Sequence, residues 1–114
     1  MRGGLVIVPL LLAASAAAAG PIDAAIHRAR TDAARRAGIA AGSIELVSAE
    51  AVTWPDGSLG CPQPGMAYTQ ALVPGYRIRL RARGQVLDYH AGRIGMPVLC
   101  PASRSIDPTP DSRS

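Results

Sequence analysis

Two histidines, two cysteines and eight carboxylates are the residues of this chain with chemistry to offer. Asp88 and His90 are the pair whose spacing first suggests acid–base work. On a β-strand, however, residues two apart share a face at a separation of about 7 Å. Catalysis then needs a nucleophile or a second carboxylate within reach, and none stands beside them in the sequence. A structural role for the pair is therefore the stronger reading, and a hydrolase-like enzyme using Asp88, His90 or Asp56 is the weaker of two functional classes. Cys61 and Cys100 are the only cysteines. With only His27 and His90 to add, they make a poor structural metal site, which usually draws on four N/S ligands. A disulfide is the leading reading, ahead of a metal pair or a reactive thiol. No cofactor motif and no metal-binding constellation accompanies these residues.

Cys61 sits in the most distinctive stretch, Trp54-Pro-Asp-Gly-Ser-Leu-Gly-Cys-Pro-Gln-Pro-Gly65. Prolines and glycines at this density specify a shaped loop, and a preorganised loop binds partners with little loss of ordering entropy. Leu59, Tyr68 and Gln70 are its candidate binding residues. Each has a plainer alternative: Leu59 as a cap on the core beneath Trp54, and Tyr68 as a cover for the disulfide.

The compartment follows from the start of the chain. Met1 and Arg2 form a short basic start, Leu5 to Leu12 an apolar run, and Ala17-Ala18-Ala19-Gly20 a small-residue cleavage region, which together read as a signal peptide over residues 1–19. The run is too short to span a bilayer, for which roughly 20 apolar residues are needed. The mature chain then starts at Gly20, has no membrane span, and is periplasmic or secreted. About 95 of the 114 residues remain, enough for one small domain whose core is marginal without a staple. Pairing Cys61 with Cys100 closes a loop of about 40 residues, worth roughly 4 kcal/mol in the chain-entropy model. All twelve basic residues are arginine, and a formal net charge of +4 is mild. It falls short of the concentrated patch of a nucleic-acid binder, so nucleic acid is excluded as a partner.

The elements that must position these residues can be read in turn. Pro21 to Ala37 has Ile22, Ile26, Ala29, Ala33 and Ala37 on one side, with Gly38 as a stop, and predicts a helix with its arginines on a solvated face. Residues 43–54 predict a strand. Ile44, Leu46, Val52 and Trp54 share a phase that would turn Ser48 and Glu50 inward, so a bulge or bend is expected near Val47 to Ala49. Tyr76, Ile78, Leu80 and Ala82 alternate with Arg77, Arg79, Arg81 and Arg83, and a second run extends from Gln85 to His90. A two-residue turn at Arg83-Gly84 sets Leu80 against Leu87 and Ile78 against Tyr89 inside, with Arg79 opposite Asp88 and Arg77 opposite His90 outside. The arginine row reads as a solvated face. Pro97 to Cys100 supplies a short last strand at an edge. Residues 101–114, rich in Pro, Ser and Asp, predict a disordered tail.

Trp54, Asp56, Gly57, Leu59-Gly60-Cys61-Pro62, Pro64-Gly65, Tyr68, Gln70, Pro74-Gly75-Tyr76, Tyr89-His90 and Cys100 together resemble a group of small exported bacterial proteins of unknown function with a W-x-D-G-S-L-G-C-P-x-P-G-x-x-Y-x-Q signature. The resemblance covers roughly residues 45 to 100. It implies the disulfide and a compact domain, and it brings no activity with it. The expected fold is α+β: one N-terminal helix packed on a small antiparallel sheet of three or four strands, over residues 20–100, with one disulfide. The expected function is a non-enzymatic exported binding module that meets an envelope or extracellular protein through the loop 56–68, with a protease inhibitor as its sharpest version.

Overall fold

The computed structural model describes Gly4 and residues 20–110, so the signal-peptide reading of residues 1–19 lies outside the described residues, Gly4 apart. The elements are α1 (Pro21–Ala37), a short 3-10 turn (Ala41–Ser43), β1 (Glu45–Trp54), β2 (Val73–Ala82), β3 (Gln85–Gly92) and β4 (Val98–Leu99). The fold is α+β, with one helix and a four-stranded antiparallel sheet in the order β1-β2-β3-β4. No described helix is long and apolar enough to cross a membrane.

Helix α1 begins with Pro21 at its first position, while the Asp23 carboxylate accepts the Gly20 N–H at 2.9 Å. Arg35 and Arg36 lie in its last turn, where cations oppose the negative end of the helix dipole. Ala25, Ala29 and Ala33 are the buried stripe, and they lie against Tyr76, Ile78, Leu80, Tyr89 and Ala91 of the sheet. Small side chains let the helix approach closely, which partly compensates for the little apolar surface each buries. Asp32 lies off the buried stripe, yet its side chain is nearly covered and accepts the Tyr89 hydroxyl at 2.7 Å while pairing with Arg35 and Arg36.

The β2–β3 hairpin has the expected register, Leu80 with Leu87, Ile78 with Tyr89, Arg79 with Asp88 and Arg77 with His90. Arg83 and Gly84 both take positive φ, 51° and 77°, the backbone of a type I′ turn whose twist matches that of the strands it joins. In β1 the register shifts between Leu46 and Ser48, placing a bulge at Val47. The bulge divides the strand between two faces. Leu46 pairs with Leu80 in the phase of the helix side, whereas Val52 and Trp54 pair with Gly75 and Val73 in the opposite phase. Trp54 therefore belongs to a second, smaller core on the other face of the sheet.

That face is covered at one end by the loop after β1 and by residues beyond Cys100. The expectation of a disordered tail from residue 101 does not hold for residues 101–110. Ile106 N–H donates to the Gly60 carbonyl at 2.8 Å and Thr109 N–H to the Thr53 carbonyl at 3.0 Å, so this segment crosses the face and ends beside β1. Backbone hydrogen bonds and ion pairs hold it, which is why its low apolar content did not leave it loose. Residues 111–114 lie outside the described residues.

Candidate functional site

Two structures share the covered face: a self-braced loop and, beneath it, a buried polar cluster. The loop starts at Asp56, whose carboxylate accepts both the backbone N–H of Ser58 at 2.8 Å and its hydroxyl at 2.5 Å. These bonds to the ionised form hold the Asp56 carboxyl below its ordinary range. Consecutive turns follow, with Leu59 N–H on the Asp56 carbonyl and Cys61 N–H on the Ser58 carbonyl. Leu59 takes φ 56°, uncommon for a branched residue, and Gly60 follows at 69°. Gly60 lies against the Trp54 ring, where a Cβ would come within 2.5 Å of Cζ3 and 2.6 Å of the Ile106 carbonyl oxygen. Cys61 and Cys100 form a disulfide with Cα atoms 5.8 Å apart, tying the loop to the end of β4. Beyond it, Gln63 N–H donates to the Tyr68 hydroxyl at 3.0 Å, Gln70 donates to the Tyr68 carbonyl, and Gly57 N–H reaches the Thr69 carbonyl at 2.9 Å, closing the loop at its base.

The candidate residues are thus divided. Tyr68 and Gln70 lie together on the outer arm of the loop, Tyr68 partly covered and Gln70 exposed. Leu59 does not project: it is half-buried, and its carbonyl faces His90. The large apolar side chains that this arm does expose are Met66 and Leu72, 60% and 66% accessible. Sequence reasoning passed over both, because a lone exposed Met or Leu is ordinary on a protein surface.

His90 is fully buried and stacks on Trp54, ring centroids 4.4 Å apart and planes at 20°. Its Nδ1 lies 2.7 Å from the Leu59 carbonyl oxygen and its Nε2 2.9 Å from Asp88 Oδ2. The Leu59 carbonyl and the ionised Asp88 carboxylate are both acceptors, so each ring nitrogen faces an acceptor. Arg77 donates to both Asp88 oxygens at 3.0 Å, and its Nη1 donates to Asp107 at 2.8 Å. The Ser105 hydroxyl donates to Asp88 Oδ2 at 2.9 Å and lies 3.3 Å from His90 Nε2. Burial alone would raise the Asp88 carboxyl, but hydrogen bonds from His90, Arg77 and Ser105 outweigh it and hold the group well below the usual carboxylate range.

Serine, histidine and aspartate are therefore in contact, but in an order unsuited to nucleophilic catalysis. In a triad the carboxylate holds one ring nitrogen and the serine uses the other. Here Asp88 and Ser105 converge on the same Nε2, Nδ1 is committed to a backbone carbonyl, and the ring is sealed from solvent. The cluster is built to bind the loop and the segment after β4 to the sheet. Ser105 and Asp107, assigned to a tail from composition, gave no signal in the sequence. Arg77 did stand opposite His90, but its diagonal reach to Asp88 could not be read from the register. Among the described residues no group of three or more His, Cys, Asp or Glu is arranged to hold a metal.

Fold and site define a small α+β domain stapled by one disulfide, in which a rigid surface loop is anchored on a buried Arg–Asp–His–Ser network. The chain belongs to the family described as domain of unknown function DUF8738, whose model matches residues 26–100. No curated protein and no solved structure matches it.

Proposed function

We propose that this protein is a non-enzymatic, exported binding module of the cell envelope, periplasmic or secreted, that holds a protein partner on the loop 56–68 and its continuation to Leu72. The observation that carries the reading is the bracing of an exposed arm. Residues 63–67 are open to solvent, yet the arm is fixed by the disulfide at Cys61, by the Tyr68–Gln63 hydrogen bond and by the Gly57–Thr69 closure. Such a loop loses little ordering entropy on binding, and Met66 and Leu72 supply apolar contacts at its rim. Tyr68 and Gln70 act as the arm's internal frame and its adjoining polar edge, while Leu59 supports the loop from within. An inhibitor-like use of the arm is the sharpest form of this reading. A hydrolase-like enzyme is the alternative that the Ser105–His90–Asp88 contact brings to mind, and the shared Nε2 weighs against it.

Photo-crosslinking tests the proposal. With a photoreactive residue at Met66 or Gln70 in the full chain, irradiation of cells that make the protein yields one discrete adduct, absent when the residue is placed at Arg81 on the hairpin. No adduct from the loop, or the same adducts from Arg81, would overturn the reading.

A further inference from the structure

The sheet is left incomplete at one edge, away from the loop. Strand β4 pairs only with Tyr89 and His90, after which Cys100 N–H donates to the Asp88 carbonyl at 2.8 Å and Pro101 turns the chain away. Backbone groups along a strand alternate in direction, so the N–H and C=O of Val86 point to the same side as the Asp88 carbonyl. Among the described residues no strand lies there. The vacant edge is a groove. A cleft of about 720 Å³ and a second of about 570 Å³ share Arg36, Leu87 and Leu99 as walls and flank β3 from Gln85 to Asp88.

The lining is apolar at its floor and positive at its rim. Val86, Leu87 and Leu99 supply the floor, while Arg36, Arg77, Arg79 and Arg83 face only Asp88 and Asp107 among the lining carboxylates. Arg77 pairs with both aspartates, and Arg79 reaches Asp88 Oδ1 only at 3.9 Å. Arg36 shares its carboxylate, Asp32, with Arg35, so the helix rim also carries surplus positive charge. We propose that this groove receives an extended, acidic peptide segment of another protein, which adds as a short strand to β3 in the place β4 leaves open. Four strand residues span about 13 Å, which sets the inserted length at three to four residues. Backbone pairing with Val86 gives the affinity, and carboxylates against Arg36 and Arg79 give the selection. The inference does not rest on the loop reading, because the two surfaces share no residue named for either.

Selection of about seven-residue peptides from a randomised displayed library on the full chain tests it. The expected winners carry net negative charge, and on titration they move the amide NMR signals of Val86 and Asp88 before those of the loop. Their affinity falls about tenfold or more in Val86→Pro, which removes the edge donor at a position where an edge strand tolerates proline, and in the Arg36→Gln/Arg79→Gln double variant. If Val86→Pro fails to fold, the arginine variant decides alone. No enrichment, neutral or basic winners, or winners indifferent to both variants overturn the proposal. Winners lost only in Met66→Ser assign the peptide to the loop and overturn the groove. Self-association that Val86→Pro abolishes assigns the edge to a second copy and overturns it too.

Discussion

Replacing Asp88 by Asn tests whether the buried cluster holds the second face together. Asn keeps the shape and one acceptor oxygen, but the carboxylate in place takes hydrogen bonds from Arg77 Nε and Nη2, His90 Nε2 and the Ser105 hydroxyl. An amide at Oδ1 turns N–H against Arg77 Nε; an amide at Oδ2 turns it against three groups. The side chain is 17% accessible and its Arg77 partner 12%, so this is a mostly buried pair. Losing one charge-assisted bond and leaving Arg77 under-neutralised costs about 3 kcal/mol, the lower end of the range for breaking a buried ion pair. For a domain of this size that lowers Tm by about 15 °C. A pH series gives a second, independent signature. Because the native Asp88 carboxyl lies below its unfolded value of about 3.9, its stabilisation is fully present above that value and is lost as pH falls through it towards the native one. The parent therefore loses stability steeply below about pH 4, and Asp88→Asn loses it less steeply. Some slope remains, since Asp32, Asp56 and Asp107 are also held low. Urea unfolding followed by Trp54 fluorescence measures both effects. An Asn variant within about 0.5 kcal/mol of the parent at pH 7, or one with an unchanged acid slope, would refute the argument.

Two further outcomes are expected. The Cys61→Ser/Cys100→Ser double variant loses about 4 kcal/mol, the entropy of closing a loop between residues 39 apart; equal urea midpoints for parent and variant would show the staple to be dispensable. Gly60→Ala costs about 3 kcal/mol, from strained φ and from the Trp54 ring and Ile106 carbonyl in the path of its Cβ, whereas Gly65→Ala, with φ 79° and open space, costs only about 1 kcal/mol; equal losses would mean that packing at Gly60 is unimportant.

How much could be read from the chain alone depended on the range of the interactions. The helix bounds and the hairpin register rest on neighbours in sequence, and Pro21, Gly38 and the Arg83-Gly84 turn marked them directly. The bulge near Val47 was legible because no single phase buried Ile44 and Trp54 without also burying Ser48 and Glu50. What it did to Trp54 was not, since a phase change does not say that a second layer exists to receive the far side. That layer is built from Ser58, Cys61, Cys100 and the residues after it, with the disulfide alone joining positions 39 apart. Composition failed most clearly at 101–110. The one large apolar residue there, Ile106, stays half-exposed, and the segment is ordered by carbonyl partners on Gly60 and Thr53 that no local pattern announces.

The order of these pieces along the chain bears on how the molecule is made. Emerging from its N-terminus, the helix and the three-strand meander can close as soon as Gly92 is free, because the residues that pair and pack within them all precede it. The far face has to wait. Until Cys100, Ser105 and Asp107 arrive, Cys61 is a lone thiol, Trp54 has no cover from Ile106 and its neighbours, and Asp88 lacks one of its donors. A half-made molecule thus leaves an aromatic ring less covered and a sulfur unpaired, and a finished one hides both. Late closure leaves a visible difference between the two, so that completion of the chain is marked on the surface of the domain itself.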